Sequence, residues 1–126
     1  LSPCAAATAP DYSDGNAGIS AALALNGGPV VMADRADNAR GGAPSDNTTS
    51  LLRMLARNME NATLGPIWDP ITVRLCFDPG PGARFPLRFG GKIGPTSGQP
   101  VDATVTVVGA AIKVCDVEVV LISNRT

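Results

Sequence analysis

The stretch Pro29-Val30-Val31-Met32-Ala33-Asp34-Arg35-Ala36-Asp37-Asn38-Ala39-Arg40-Gly41-Gly42-Ala43-Pro44-Ser45-Asp46 decides how the fold is read. Its first six residues form a short apolar run after Gly27-Gly28, the pattern of a buried strand. Gly41-Gly42 and Pro44 then mark a turn. Asn47-Thr48-Thr49 offers N-cap chemistry for a helix in which Leu51, Leu52, Leu55 and Met59 fall on one face, with Arg53 and Arg57 on another. Strand, glycine-rich turn and helix in that order open a βαβ unit.

Downstream, Ala62 to Trp68 reads as a second strand, weakened by Pro66. Asp69-Pro70 starts a second helix, with Asp as N-cap and Pro at the first helical position. Val73, Cys76 and Phe77 keep the helical period, and Asp78-Pro79-Gly80-Pro81-Gly82 ends it. The period then changes to two. Phe85, Leu87 and Phe89 alternate with Arg84 and Arg88, and Val101, Ala103, Val105 and Val107 alternate with Asp102, Thr104 and Thr106. Val114 to Ile122 is a denser apolar strand, expected to be central. The expected fold is α/β or α+β: a βαβ unit with a right-handed crossover, extended into one mixed sheet of about five strands with two main helices. Upstream, residues 1–27 read as a linker or N-terminal extension. The part before Asp14 reads as linker or frayed terminus, and Ile19 to Leu25 as a helical turn or two.

Composition narrows the function. The chain has 126 residues, a formal net charge of -1, 44% hydrophobic and only 4% aromatic residues. One globular domain with an aliphatic core fits these values. Neither the charge nor any basic tract fits nucleic acid. No stretch approaches a membrane span, and no basic n-region precedes the apolar residues at the start. There is no histidine, which removes Ser-His-Asp and Cys-His catalysis and the usual zinc sites. Cys4, Cys76 and Cys115 form no CxxC pair and read as buried, reduced thiols of a cytoplasmic protein.

The loop Asp34 to Asp46 is the best candidate site. It follows the carboxyl end of the expected strand, where α/β sheets place ligands. Gly41 and Gly42 would let backbone N–H groups approach a ligand, and Asp34, Asp37, Asn38 and Asp46 supply polar groups, with Thr48 a hydroxyl. It is neither a Walker loop nor a dinucleotide fingerprint. The bland reading is that Asp37 and Asn38 cap a turn and Asp46 caps a helix. Two further candidates, Asp69 and Lys92, have equally plain readings as an N-cap and as a hairpin-loop lysine between Gly91 and Gly94. Three Asn-x-Ser/Thr matches, at Asn47, Asn61 and Asn124, are read as chance.

Taken together, these motifs resemble one family. Gly28 to Asp46, GPVVMADRADNARGGAPSD, is similar to the string GPVVLADVADNPGGGAPGD of microcystinase C (MlrC) type proteins. Leu51-Leu52-Arg53 follows at the matching distance. Ala62 to Pro70 resembles A-x-G-x-I-W-D-P, Arg84 to Gly98 resembles L-R-x-G-G-K-x-G-P-x-S-G, and Val117 to Thr126 resembles V-x-V-V-L-x-S-x-R-T. The resemblance covers the C-terminal domain of the family, over residues 28–126, and that domain is expected to be incomplete here. It implies an accessory domain of a zinc-dependent peptidase or amidohydrolase, inactive alone, that degrades linear microcystin products. Zinc ligands and catalytic groups would lie in the N-terminal domain. This domain would close over the metal and touch a small peptide substrate through Asp34, Asp37, Asn38, Gly41, Gly42, Asp46 and Thr48, with Asp69 and Lys92 beside them. An anion- or nucleotide-binding module using the same loop is the alternative. The sequence departs from the family at Ala39-Arg40, where Pro-Gly is usual, at Ser45, where Gly is frequent, and in a short connection from Gly109 to Cys115.

Overall fold

The structure is a computed structural model that describes residues 13–124. The reading of the chain before Asp14 as linker therefore falls, apart from Ser13, outside the described residues, as does Cys4. The chain divides into two compact units, one ending at Met32 and one beginning at Ala33. The first contains helix α1 (Gly15–Ala24), longer than the turn or two expected. Its N-terminus is capped by Asp14, whose carboxylate accepts the Ala17 N–H at 2.9 Å.

The second unit is built on one mixed sheet of five strands, as expected: β1 (Ala62–Trp68), β2 (Arg84–Phe89), β3 (Val101–Val108), β4 (Ala111–Val114) and β5 (Val117–Ile122). The order is β1-β5-β4-β3-β2. β1 and β5 are parallel, and every other pair is antiparallel. Helix α2 (Thr49–Ala56) precedes the sheet, and α3 (Pro70–Phe77) connects β1 to β2.

Three expectations need correction. Pro29 to Asp34 is not a strand: Val30 is 42%, Val31 89% and Met32 49% exposed. A short apolar run becomes a strand only where its backbone pairs, and these residues join no ladder of the five-stranded sheet. The fifth strand is instead β4, inside the segment read as a connection. The dense run from Val114 to Ile122 is broken by a turn at Cys115-Asp116, with Cys115 at φ 52° and Val114 opposite Val117. In α2 the buried residues are Leu51 and Met54, Leu52 is 37% exposed, and Met59 lies beyond the helix end.

Pro66 is accommodated because β1 is an edge strand, where a missing N–H breaks no ladder; the β1–β5 register shifts between Leu64 and Ile67. Gly65 lies against β5, where an added Cβ would stand 2.7 Å from the Cβ of Val120.

The sheet is strongly rolled. β1 and β2 are its opposite edges, and a flat five-stranded sheet would hold them about 19 Å apart. Yet the residue after β1, Asp69, accepts a hydrogen bond at 3.0 Å from the residue after β2, Gly90. Twist carried into coiling brings the edges together. Helix α3 packs against both β5 and β2, strands that are not neighbours in the sheet. Val105, Ile112, Val114, Val117, Val119, Phe89, Ile67 and Leu51 form the core, each at most 2% exposed.

Candidate functional site

Three loops meet where the sheet edges converge: 37–47 before α2, the β1–α3 junction at Asp69, and 90–100 between β2 and β3. Two buried carboxylates hold them. Asp46 is 1% exposed, and its Oδ2 accepts the N–H groups of Lys92 at 2.8 Å and Ile93 at 2.9 Å. Its carbonyl accepts the Gly91 N–H at 2.7 Å, so one residue binds three consecutive donors of the third loop. Its Oδ1 is buried with no hydrogen-bond partner.

Asp69, 3% exposed, links the other two segments. Oδ1 accepts the Thr72 N–H at 3.1 Å and caps α3, while Oδ2 accepts Gly90 N–H at 3.0 Å and the Lys92 ammonium at 2.6 Å. The Lys92 side chain is 37% exposed. Burial acts to raise the Asp69 carboxyl, but the hydrogen bonds from Lys92, Gly90 and Thr72 outweigh it and hold the group below the usual aspartate value. Two turns along α3 from Asp69, burial and the Asp69 charge push the Cys76 thiol up.

The loop 37–47 is closed by its own side chains. Asp37 accepts the Ser45 N–H at 2.8 Å and the Asn47 N–H at 2.7 Å, and its carbonyl accepts the Ser45 hydroxyl at 3.0 Å. Asn38 caps the short 3-10 turn Ala39–Gly41 by accepting the Arg40 N–H at 3.0 Å. The Gly41 and Ala43 N–H groups go to the Asn38 carbonyl, and Gly42 N–H to that of Ala39. Thr48 donates from Oγ1 to the Gln99 carbonyl at 2.5 Å and from its N–H to the Ser97 carbonyl. Asn47, rather than Asp46, accepts the Thr49 N–H at the start of α2.

The third loop fits because glycines stand at its closest approaches, among them Gly91 and Gly98. Gly91 has φ +60°, and an added Cβ would stand 2.7 Å from the Gln99 backbone; at Gly98, φ +75°, it would stand 2.8 Å from Thr48 Oγ1. Both positions demand left-handed backbone and close approach. Gly41 and Gly42 face open space instead.

Of the residues singled out in the sequence, Asp46, Thr48, Asp69 and Lys92 come together, and Asp37 closes the loop leading to them. Asp34, Asn38, Gly41 and Gly42 lie outside this cluster on exposed chain. Asp34 accepts the Ala36 N–H at 2.9 Å and the Ser50 hydroxyl at 3.3 Å. Asp46 thus serves as a loop staple and not as the α2 cap that the bland reading expected. Thr72, Gly90 and Ser45 were not anticipated. Ser45 signals itself only by standing where the related string has Gly, and it adopts φ 60°. Arg40 is exposed. Of the free thiols, Cys76 is buried as expected but Cys115, at a hairpin tip, is exposed.

Among the described residues no group of three or more His, Cys, Asp or Glu side chains is placed to hold a metal ion, so the donors present do not fit a zinc site. An open depression lined by Pro86, Leu87, Arg88, Asp102, Ala103 and Thr104 shares no residue with the cluster. No helix of the described residues is long and apolar enough to cross a membrane.

A mixed, rolled sheet whose strand-end loops are tied by two buried aspartates defines an α/β domain with a loop cluster at one place. The profile of the MlrC C-terminus family matches residues 32–113, and the chain belongs to that family. It is 43% identical over 98 residues to Microcystinase C of Sphingomonas sp., a match covering 78% of this chain and 19% of that protein. The chain therefore spans about a fifth of the length of this curated relative. The crystal structure of a "Putative metallopeptidase" from Mesorhizobium sp. BNC1 superposes with a TM-score of 0.55 at 18% identity, over 74% of this chain and 23% of that one. At that identity the likeness is one of fold.

Proposed function

We propose that this chain is the C-terminal accessory domain of an MlrC-type, zinc-dependent peptidase or amidohydrolase acting on small linear peptides such as opened microcystin, in the cytoplasm. The observation that carries this reading is the 43% identity to a segment making up only 19% of Microcystinase C. The metal ligands would then belong to the larger N-terminal domain. Zinc bound there would supply Lewis-acid activation of water and of the scissile carbonyl. This domain contributes a rigid wall: Asp46 and Asp69 lock three loops together, and the exposed tip of 37–47, with Asn38, Arg40 and Gly41, closes over the site and meets the substrate.

The anion- or nucleotide-binding alternative fits less well. Between Arg40 and Thr49, the N–H groups of residues 40–43, 45 and 47–49 are already engaged within the chain. A phosphate cradle needs such donors free.

Two measurements test the proposal. This chain, incubated with zinc and linear peptides, is expected to show no metal-dependent turnover; turnover would contradict the accessory role. In the full-length protein, Arg40→Glu is expected to change KM severalfold with an unchanged melting temperature. An unaltered KM removes the substrate-contact part.

A further inference from the structure

We propose that the outer face of α3, carrying Ile71, Leu75 and Phe77, is the seat on which the larger remaining part of an MlrC-type chain docks. The inference deepens the two-domain reading and rests on it.

Helix α3, Pro-Ile-Thr-Val-Arg-Leu-Cys-Phe, contains a single charged residue, Arg74. A surface helix normally turns its polar residues outward and its large apolar ones inward. Here large apolar residues share the outside with Arg74: Thr72 and Cys76 are buried, whereas Ile71 is 66%, Leu75 50% and Phe77 83% exposed. Ile71 and Leu75 are one turn apart and stack on the same side, and Phe77, at the helix end, lies about 120° around the axis from Ile71, across the exposed Arg74. Isolated exposed apolar residues are ordinary, but three on an eight-residue helix make a patch of the kind that marks an interface. An aliphatic and aromatic surface with one cation selects an apolar protein surface over nucleic acid or an acidic ligand.

The occupant follows from length. The related segment makes up 19% of Microcystinase C and 23% of the solved Mesorhizobium chain, so roughly four fifths of such proteins lies elsewhere. The helix is also held firmly for docking. Its N-cap Asp69 is fixed by Gly90 and Lys92, so a partner seated on α3 is registered against the same loop cluster.

Thiol labelling tests this directly. In a Cys4→Ser, Cys115→Ser background, Leu75→Cys, Phe77→Cys and, as control, Thr104→Cys on the exposed side of β3 are reacted with a maleimide, both in this 126-residue chain and in the full-length protein. The expected result is labelling at positions 75 and 77 at least tenfold slower in the full-length protein, with position 104 unchanged. Equal rates at 75 and 77 in the two proteins overturn the proposal. So does protection already present in the 126-residue chain, from its own residues or from a second copy. Peptide hydrolysis assayed on the same full-length variants separates the two readings. Hydrolysis without protection sinks the docking face alone, and protection without hydrolysis sinks the functional reading alone.

Discussion

The ammonium of Lys92 lies 2.6 Å from Oδ2 of Asp69, a carboxylate that is 3% exposed and that also accepts the Gly90 N–H. A lysine from the loop after one edge strand thus neutralises a carboxylate placed immediately after the other. The pair is asymmetric, because the aspartate is buried and the lysine 37% exposed. Removing the cation leaves the anion in place without its charge partner. Lys92→Met is therefore expected to destabilise the domain by about 2 kcal/mol, below the loss typical of a fully buried pair because water reaches the lysine. Urea unfolding of the chain and the variant reads this; a loss under about 0.5 kcal/mol would put the pair in the class of surface ion pairs.

Acid should weaken the same contact. Asp69 titrates below the usual aspartate value in the folded chain. A carboxyl with a depressed folded value contributes stability that is fully present above its unfolded value, about 4, and is lost as pH falls through the folded one. The melting temperature is expected to drop on acidification from about pH 4 downward. Asp69→Asn should flatten that part of the profile. An identical acid slope in the variant would show that other carboxylates are responsible.

How much of this was legible depends on what each residue's signal requires. Asp69-Pro70 announces a helix start through local chemistry alone, and the structure has it there. The alternation in β2 and β3 is equally local. Val30 to Met32 misled because an apolar run carries no information about whether its backbone pairs with another strand. β4 and the turn before β5 were hidden for a different reason: Cys115-Asp116 lacks the Asn-Gly or Asp-Gly signature of a two-residue hairpin, so two strands read as one. The loop carboxylates and Lys92 could be singled out, but their partners could not. Asp46 and Lys92 stand 46 positions apart, and only the rolling of the sheet brings them together. Nothing in the spacing of either motif reveals that a carboxylate which looks free for a ligand is already bonded to backbone.

Glycines should separate sharply by position. Gly91→Ala and Gly98→Ala each place a Cβ on left-handed backbone and within 2.8 Å of Gln99 backbone or Thr48 Oγ1. Each is expected to cost about 3 kcal/mol, from backbone strain together with displacement of the packed loop. Gly41→Ala, in open space and without a left-handed φ, should stay within about 0.5 kcal/mol. Thermal melts of the three variants check the ranking, and equal effects would mean that the third loop yields easily.

Two free thiols among the described residues, Cys76 and Cys115, provide a contrast at neutral pH. Cys115 is exposed at the β4–β5 turn, whereas Cys76 is buried with its thiol pushed up by burial and by the Asp69 charge. Since the thiolate is the reactive form, Cys115 should label rapidly in the native chain and Cys76 only on unfolding. Mass spectrometry of peptides after brief alkylation distinguishes them. Comparable labelling of Cys76 in the native state would mean that α3 opens readily. The raised folded value also predicts stability that is intact below the ordinary thiol range, about 8.5, and declines as pH rises through the folded value.

Asp46 separates a staple from a bare charge. Its Oδ2 accepts two backbone N–H groups, and Oδ1 accepts none. Asparagine keeps the shape and, with its carbonyl oxygen at the Oδ2 position, can accept both donors through neutral bonds. Alanine leaves the N–H groups of Lys92 and Ile93 without the carboxylate that accepts them. Asp46→Ala is expected to cost about 3 kcal/mol, and Asp46→Asn about 1 kcal/mol. Hydrogen exchange at the Lys92 and Ile93 amides should accelerate strongly in the alanine variant and only slightly in the asparagine one. If both variants lose the same stability and the same protection, it is the negative charge of Asp46, and not its acceptor geometry, that holds the third loop in place.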